Sequence, residues 1–171
     1  MDDNRLGLPE ILASAGTAVF LVATFLPWFD VSIGNDTSGI LAAADFPSAN
    51  GWDAGFLWSG VPLLLGLVLT ALLLLPKVAP DLTLPALPPW APLAVGGFAA
   101  FLVLLKILFG AEVDGAGAAE AFGITIDVSR SYGIFVAFLA TLALTAAGFL
   151  ALQRDAGPPS GGGGTAPPQP F

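Results

Sequence analysis

The chain has 171 residues, of which 56% are hydrophobic and only 11% are charged. Soluble domains carry about 25% charged residues, so this composition is typical of a membrane protein. Cysteine and histidine are both absent, which excludes disulfides, thiolate metal sites and the commonest general base. The net charge of -8 argues against a nucleic-acid partner. We expect a protein that is not an enzyme and that holds no metal or cofactor.

The first predicted element is an apolar helix over residues 11–28, ILASAGTAVFLVATFLPW, which contains no charged residue. It is long enough to cross a hydrocarbon core of roughly 30 Å. Large residues at its carboxyl end do not fit a signal-peptide cleavage site, so we expect an uncleaved membrane span. Trp28 lies at that end, where amphipathic rings act as membrane-interface anchors.

The loop after this span alternates apolar and polar residues in FDVSI, residues 29–33, and the same alternation recurs in GITIDVS, residues 123–129. Such alternation predicts half-buried strands. The segments 29–33 and 124–128 could pair antiparallel as a small two-stranded extracellular ribbon, and irregular loops are the alternative. The loop also carries Asp30 and Asp53 but no Lys or Arg.

The three remaining spans are predicted at residues 56–75, 91–109 and 133–152. Trp58 and Trp90 lie near the ends of two of them and are predicted interface anchors, like Trp28. The fold class is therefore an all-α membrane protein, a bundle of four transmembrane helices in one domain that covers residues 1–152. Residues 153–171 are rich in Gly and Pro, which predicts a disordered tail.

Small residues within the spans predict close helix packing. The pair Gly96-Gly97 in the third span is either part of this packing surface or part of a ligand passage. The other small residues are Ala13, Ser14, Gly16, Thr17, Ala143, Ala146, Ala147 and Gly148.

Lys106 is the one charged residue in the apolar run 91–109. It lies about 4.5 Å of helix rise from Phe109, so its side chain can reach the headgroup level. We predict that Lys106 is a structural anchor that forms an ion pair with a carboxylate at the same level. Asp30 is the first choice of partner and Asp53 the second, and a transport role for the lysine is the alternative.

Lys and Arg in the short flanks predict the orientation. With a cytoplasmic amino terminus, Arg5, Lys77 and Arg154 lie inside, whereas Arg130 lies outside and Lys106 lies near the outer end of its span. This distribution follows the positive-inside rule. We expect a multi-pass protein of the plasma membrane with both termini, and hence the tail, in the cytoplasm.

The segments FLPWFDV, NGWDAG and SYGIFVAFLATLALTAAGFL resemble a class of small four-span membrane proteins of high-GC Gram-positive bacteria. The resemblance covers most of residues 8–152 and implies a four-helix membrane domain, with no activity attached. The layout is also similar to that of claudins and tetraspanins, including the segment GFLW at 55–58, although the cysteines of those families are missing. The residues that carry the main resemblance are Leu26, Pro27, Trp28, Phe29, Asn50, Trp52 and Gly133.

These features favour a non-enzymatic integral membrane protein that acts as a scaffold or accessory subunit of a membrane complex. Its partners would be the lipid bilayer and either another membrane protein or further copies of itself. The alternative is a small transporter or channel that acts as a homo-oligomer. No span carries an acidic residue or histidine in its middle, where transporters commonly place them.

Overall fold

The computed structural model describes residues 6–34, 48–79, 81, 87–110, 125–155 and 157. It is mostly helical, with a small three-stranded sheet. The elements in chain order are α1 (Leu8–Ala23), β1 (Pro27–Gly34), β2 (Ala49–Asn50), α2 (Phe56–Val78), α3 (Ala91–Phe109), β3 (Thr125–Arg130) and α4 (Tyr132–Asp155). The predicted tail lies outside the described residues apart from its first residues, which belong to α4, and Gly157.

Three helices are long and apolar enough to cross a membrane, namely α2, α3 and α4. Helix α1 is apolar but has only 16 residues, which corresponds to about 24 Å of rise. The prediction of four apolar helices of spanning length is therefore confirmed for three of them, and α1 falls short. The boundary of the first was wrong, since the predicted helix over 11–28 ends at Ala23.

The early end of α1 has a local cause in the sequence Phe25-Leu26-Pro27-Trp28. The amides of Phe25 and Leu26 donate to carbonyls three residues back, which tightens the last turn. Proline disfavours a helical conformation in the residue before it, so Leu26 leads into an extended strand. The indole Nε1 of Trp28 then donates to the carbonyl of Ala23 at 2.8 Å, so this carbonyl at the helix end accepts a second hydrogen bond besides that from the Leu26 amide.

The helices run alternately up and down. Helix α1 contacts α2 and α4, and α3 contacts the same two helices. The core has two parts along the bundle. The part nearer the sheet contains Phe20, Ala23, Trp28, Phe29, Val103, Ile134, Ala137 and Ala140, and the part at the opposite end contains Ala13, Leu69, Leu144 and Ala147.

The sheet has the strand order β2-β1-β3, and β1 pairs antiparallel with both neighbours. The antiparallel pairing of β1 with β3 confirms the predicted pairing of the two alternating segments, with Val31 opposite Val128, but the ribbon was predicted with two strands and the sheet has three. These two valines are half-buried, whereas Asp30 and Ser32 are exposed, as the alternation of side chains along a strand requires. Strand β2 was not predicted, because it has only two residues and no alternation to recognise.

Candidate functional site

Several residues of the segments FLPWFDV and NGWDAG, together with Gly133, meet at one end of the bundle, which we call the sheet end. Trp28 is fully buried there, and Gly51 lies against its ring so closely that a Cβ would fall 2.9 Å from it. Asn50 is the strand partner of Pro27, and Gly133 at the start of α4 packs directly on the backbone of Pro27. Three segments that are far apart in sequence therefore form one packed junction.

The three predicted anchor tryptophans lie in different surroundings. Trp28 is enclosed by protein, Trp58 is half-buried, and Trp90 is 61% exposed at the start of α3. Only Trp58 and Trp90 therefore present ring surface outside the protein. Their contact with a membrane interface stays a prediction.

Lys106 lies at the sheet end between two aromatic rings. Its Nζ is 5.6 Å from the ring centroid of Phe29 in β1 and 5.5 Å from that of Trp58 in α2. Both distances fall within the range of cation–π attraction, about 6 Å. The lysine therefore connects α3 to β1 and to α2, a contact that the sequence pattern did not reveal.

The two predicted carboxylate partners of Lys106 occupy exposed positions on the same end of the bundle. Asp30 follows Phe29 on β1, and successive side chains of a strand point to opposite faces. Asp53 closes a turn, because its Oδ2 accepts a hydrogen bond of 2.9 Å from the amide of Asn50. The proposed ion pair of Lys106 with either carboxylate stays a prediction.

Replacement of Lys106 with methionine should leave the protein folded, with a change of about 1 kcal/mol or less in unfolding free energy, because exposed cation–π contacts are weak. If Lys106 pairs with Asp30, then Asp30→Asn should lower the thermal midpoint more than Lys106→Met does, since it leaves a cation near lipid. Thermal unfolding of both variants in one detergent measures this. An unchanged midpoint for Asp30→Asn would contradict the ion pair.

Arg130 at the end of β3 caps helix α3. Its Nε donates to the carbonyl of Ile107 at 2.5 Å and its Nη2 to that of Leu108 at 3.2 Å. The last carbonyls of a helix lack internal partners and carry partial negative charge. The arginine therefore joins the sheet to α3 and stabilises the helix end.

The opposite end of the bundle holds an ionic cluster that the sequence analysis missed. The Oε1 atom of Glu10 in α1 lies 2.9 Å from Nη1 of Arg154 in α4 and 3.2 Å from Nζ of Lys77 in α2. Glu10 is only 1% exposed, whereas Lys77 is 21% and Arg154 46% exposed. We call these three residues the triad and this end of the bundle the triad end.

The triad lies at the boundary of the apolar segments. Glu10 immediately precedes the predicted span 11–28, and Lys77 and Arg154 follow the spans 56–75 and 133–152 by two residues each. The predicted topology already placed Lys77 and Arg154 on the same side of the membrane. Glu10 is an acidic residue in the flank of span one on that side, and it was the sequence feature that could have indicated an ionic cluster. The sequence could not show that all three side chains converge on one buried oxygen.

Opposing effects act on the pKa of Glu10, which lies just outside the predicted span. Burial raises this pKa. Three hydrogen bonds lower it, from the backbone of Glu10 and from the side chains of Arg154 and Lys77, and the positive charge of Arg154 lowers it further. The net result is a pKa below the ordinary value. Glu10 is therefore ionised at neutral pH. Its second oxygen, Oε2, has no hydrogen-bond partner among the described residues. The same atom lies close to Gly7, where an added Cβ would fall 2.7 Å from it.

A cavity of about 310 Å³ opens beside the triad. Its charged walls are the three triad residues, and its apolar walls come from the end of α2, the residues just before α3, the start of α3 and one residue of α4. The apolar lining residues are Leu72, Leu73, Pro76, Leu87, Pro88, Pro89, Pro92 and Ala151. The arrangement combines cations with an apolar surface, which suits an amphiphilic anion rather than a water-soluble substrate.

Searches against family models, curated proteins and solved structures find no match to this chain.

Proposed function

We propose that this chain is a non-enzymatic integral membrane protein that acts as a scaffold or accessory subunit of a membrane complex. The observation that carries the proposal is the closure of the bundle by backbone contacts. A Cβ on Gly96 would lie 2.7 Å from the carbonyl oxygen of Leu144, and one on Gly148 would lie 2.5 Å from that of Pro92. Such contacts leave no space for a solute between α3 and α4.

The polar groups between α1 and α2 also support a packed interior. The hydroxyl groups of Thr17 and Thr70 are 2.9 Å apart, and a Cβ on Gly66 would lie 3.0 Å from the Thr17 hydroxyl. Thr141 in α4 donates to the carbonyl of Phe138 in its own helix. These hydroxyls bond to protein rather than line a path, and the middles of the apolar segments contain no ionisable residue.

We further propose that α1 lies in the membrane beside the other helices as the fourth segment of a bundle. Glu10 meets Arg154 at one end of α4, and Pro27 meets Gly133 at the other. Helix α1 and its following turn therefore extend over the same length as α4. Helix α1 alone has 16 residues, and the turn after it together with the start of β1 covers the remaining length of α4.

The outer surface of the bundle is apolar on every helix. Large exposed side chains include Val22 on α1, Leu67 on α2, Phe101 on α3 and Leu139 on α4. Soluble monomers rarely expose such extensive apolar surface. We assign this surface to contact with lipid and with a protein partner, either another membrane protein or a second copy of the chain.

Purification in a mild detergent followed by reconstitution tests the proposed role. A partner at fixed stoichiometry, together with no ion flux in liposomes, is the expected result. The double variant Thr17→Val, Thr70→Val should retain the partner, since these hydroxyls bond to each other across the two helices. A homo-oligomer that conducts ions, and that loses conduction in this variant, would overturn the accessory role in favour of a transporter or channel.

We propose a plasma-membrane location with the triad end and both termini in the cytoplasm. The positive-inside rule is the basis of this proposal, with Lys77 and Arg154 at one end of the bundle and Lys106 and Arg130 at the other. A cysteine at Ser38 should be labelled by an impermeant thiol reagent in intact cells, and one at Ser160 only after lysis. The reverse labelling would show an inverted orientation.

A further inference from the structure

We propose that the cavity at the triad end binds the phosphodiester headgroup of an anionic phospholipid. Lys77 and Arg154 are the phosphate ligands, and the leucines and prolines of the cavity contact the glycerol and the first part of the acyl chains. The inference concerns a lipid site and does not depend on the accessory role proposed above.

The cations of the triad suit such a ligand. Lys77 and Arg154 both line the cavity, and a phosphodiester carries one negative charge. Arg154 contacts Glu10 through Nη1, while the side chain remains 46% exposed. Guanidinium groups offer five N–H donors, so donors remain for phosphate oxygens, which arginine binds in a bidentate manner.

Glu10 prepares the site rather than blocking it. Its Oε1 holds Lys77 and Arg154 from two different helices on one atom, so the two cations are positioned before a ligand arrives. Because Glu10 is almost fully buried while both cations are more exposed, an entering anion meets the cations first. Preorganised donors lose less conformational entropy on binding.

The position and walls of the cavity select a lipid over a free anion. The triad lies at the boundary of the apolar segments, where phospholipid headgroups are found, and basic pockets between membrane helices are known headgroup sites. Leu72 and Leu73 belong to the apolar run of α2, so the apolar walls of the cavity continue along this helix away from the triad. A volume of about 310 Å³ lies at the lower end of the range for ligand sites, roughly 300 to 1,000 Å³, and suits a headgroup whose tails extend into the bilayer.

Thermal unfolding of the full chain in a zwitterionic detergent tests this proposal with three probes. These are a short-chain phosphatidylglycerol, the matching phosphatidylcholine and inorganic phosphate. We expect only phosphatidylglycerol to raise the midpoint in a saturable manner, because a ligand that binds the folded state stabilises it by mass action. An equal rise with phosphatidylcholine would overturn the choice of an anionic lipid, and an equal rise with inorganic phosphate would show a free-anion site instead.

Charge variants locate the effect. Lys77→Gln and Arg154→Gln should each weaken phosphatidylglycerol binding by about tenfold or more, the loss expected for a hydrogen bond to a charged group. Lys106→Gln is the matched control, because it removes one cation at the sheet end and should leave binding unchanged. Equal binding by wild type, Lys77→Gln and Arg154→Gln would overturn the proposal.

Glu10→Gln keeps the test decisive if the cation variants fold poorly. This variant retains both cations, and its amide oxygen can still accept hydrogen bonds from them. The lost ion pairs and the removed negative charge have opposite effects on binding, so folded Glu10→Gln protein should still bind phosphatidylglycerol in a saturable manner. A loss of binding in this folded variant would contradict a phosphate site on Lys77 and Arg154.

Discussion

Replacement of Gly96 with alanine should destabilise the bundle by about 1 to 3 kcal/mol, the usual cost of an extra methyl group in a packed core. The new Cβ would lie 2.7 to 2.8 Å from the backbone of Leu144 and Thr145. Backbone atoms cannot rotate away, so α3 and α4 must move apart. Thermal unfolding in detergent measures the loss.

Gly97 provides the matched control in the same helix. A Cβ at this position meets nothing within 4 Å, and alanine is favoured over glycine in a helix interior by about 1 kcal/mol. Gly97→Ala should therefore be neutral or stabilising. Gly148→Ala, on the opposite side of the same contact, should behave like Gly96→Ala, since its Cβ would lie 2.5 Å from the carbonyl oxygen of Pro92. Equal midpoints for the Gly96 and Gly97 variants would show that α3 and α4 do not pack as described.

Removal of both cations from the triad should destabilise the protein by several kcal/mol. In the double variant Lys77→Met, Arg154→Met the carboxylate of Glu10 remains buried without either partner, and a buried charge that loses its partner typically costs about 3 to 5 kcal/mol. Addition of Glu10→Gln to this variant should recover much of the loss, because a neutral amide is less costly to bury. Unfolding of the single, double and triple variants measures this coupling.

Additive effects without recovery in the triple variant would contradict the coupling.

The pH dependence of the stability of the wild type offers a second test of the triad. The pKa of Glu10 is lowered in the folded protein, so the stabilisation by the triad is present above the ordinary value of 4.5 and is lost as the pH falls through the lower folded value. Glu10→Gln should remove this part of the acid sensitivity.

Much of the fold could be predicted from local patterns. Uninterrupted apolar runs predicted α2 and α3 to within a few residues, because a helix is the usual way to satisfy backbone groups in a hydrocarbon environment. Alternation at FDVSI and TIDVS predicted the pairing of β1 with β3. The first helix was predicted too long, since hydropathy continues through Phe25 and Trp28 while the chain direction changes at Pro27.

The sequence by itself determined where the long apolar helices lie and which charged residues flank them. Length, apolar runs and flanking charges are local properties, and the helices and the ribbon follow from them. Only the tertiary structure decided which of two adjacent glycines is packed, that Gly51 lies against the buried Trp28 ring, and that Lys106 lies between Phe29 and Trp58. It also brought Glu10 to Lys77 and Arg154. The physical reason is that the rotation of each helix about its axis, and the partner it meets across the bundle, depend on the packing of all four helices together.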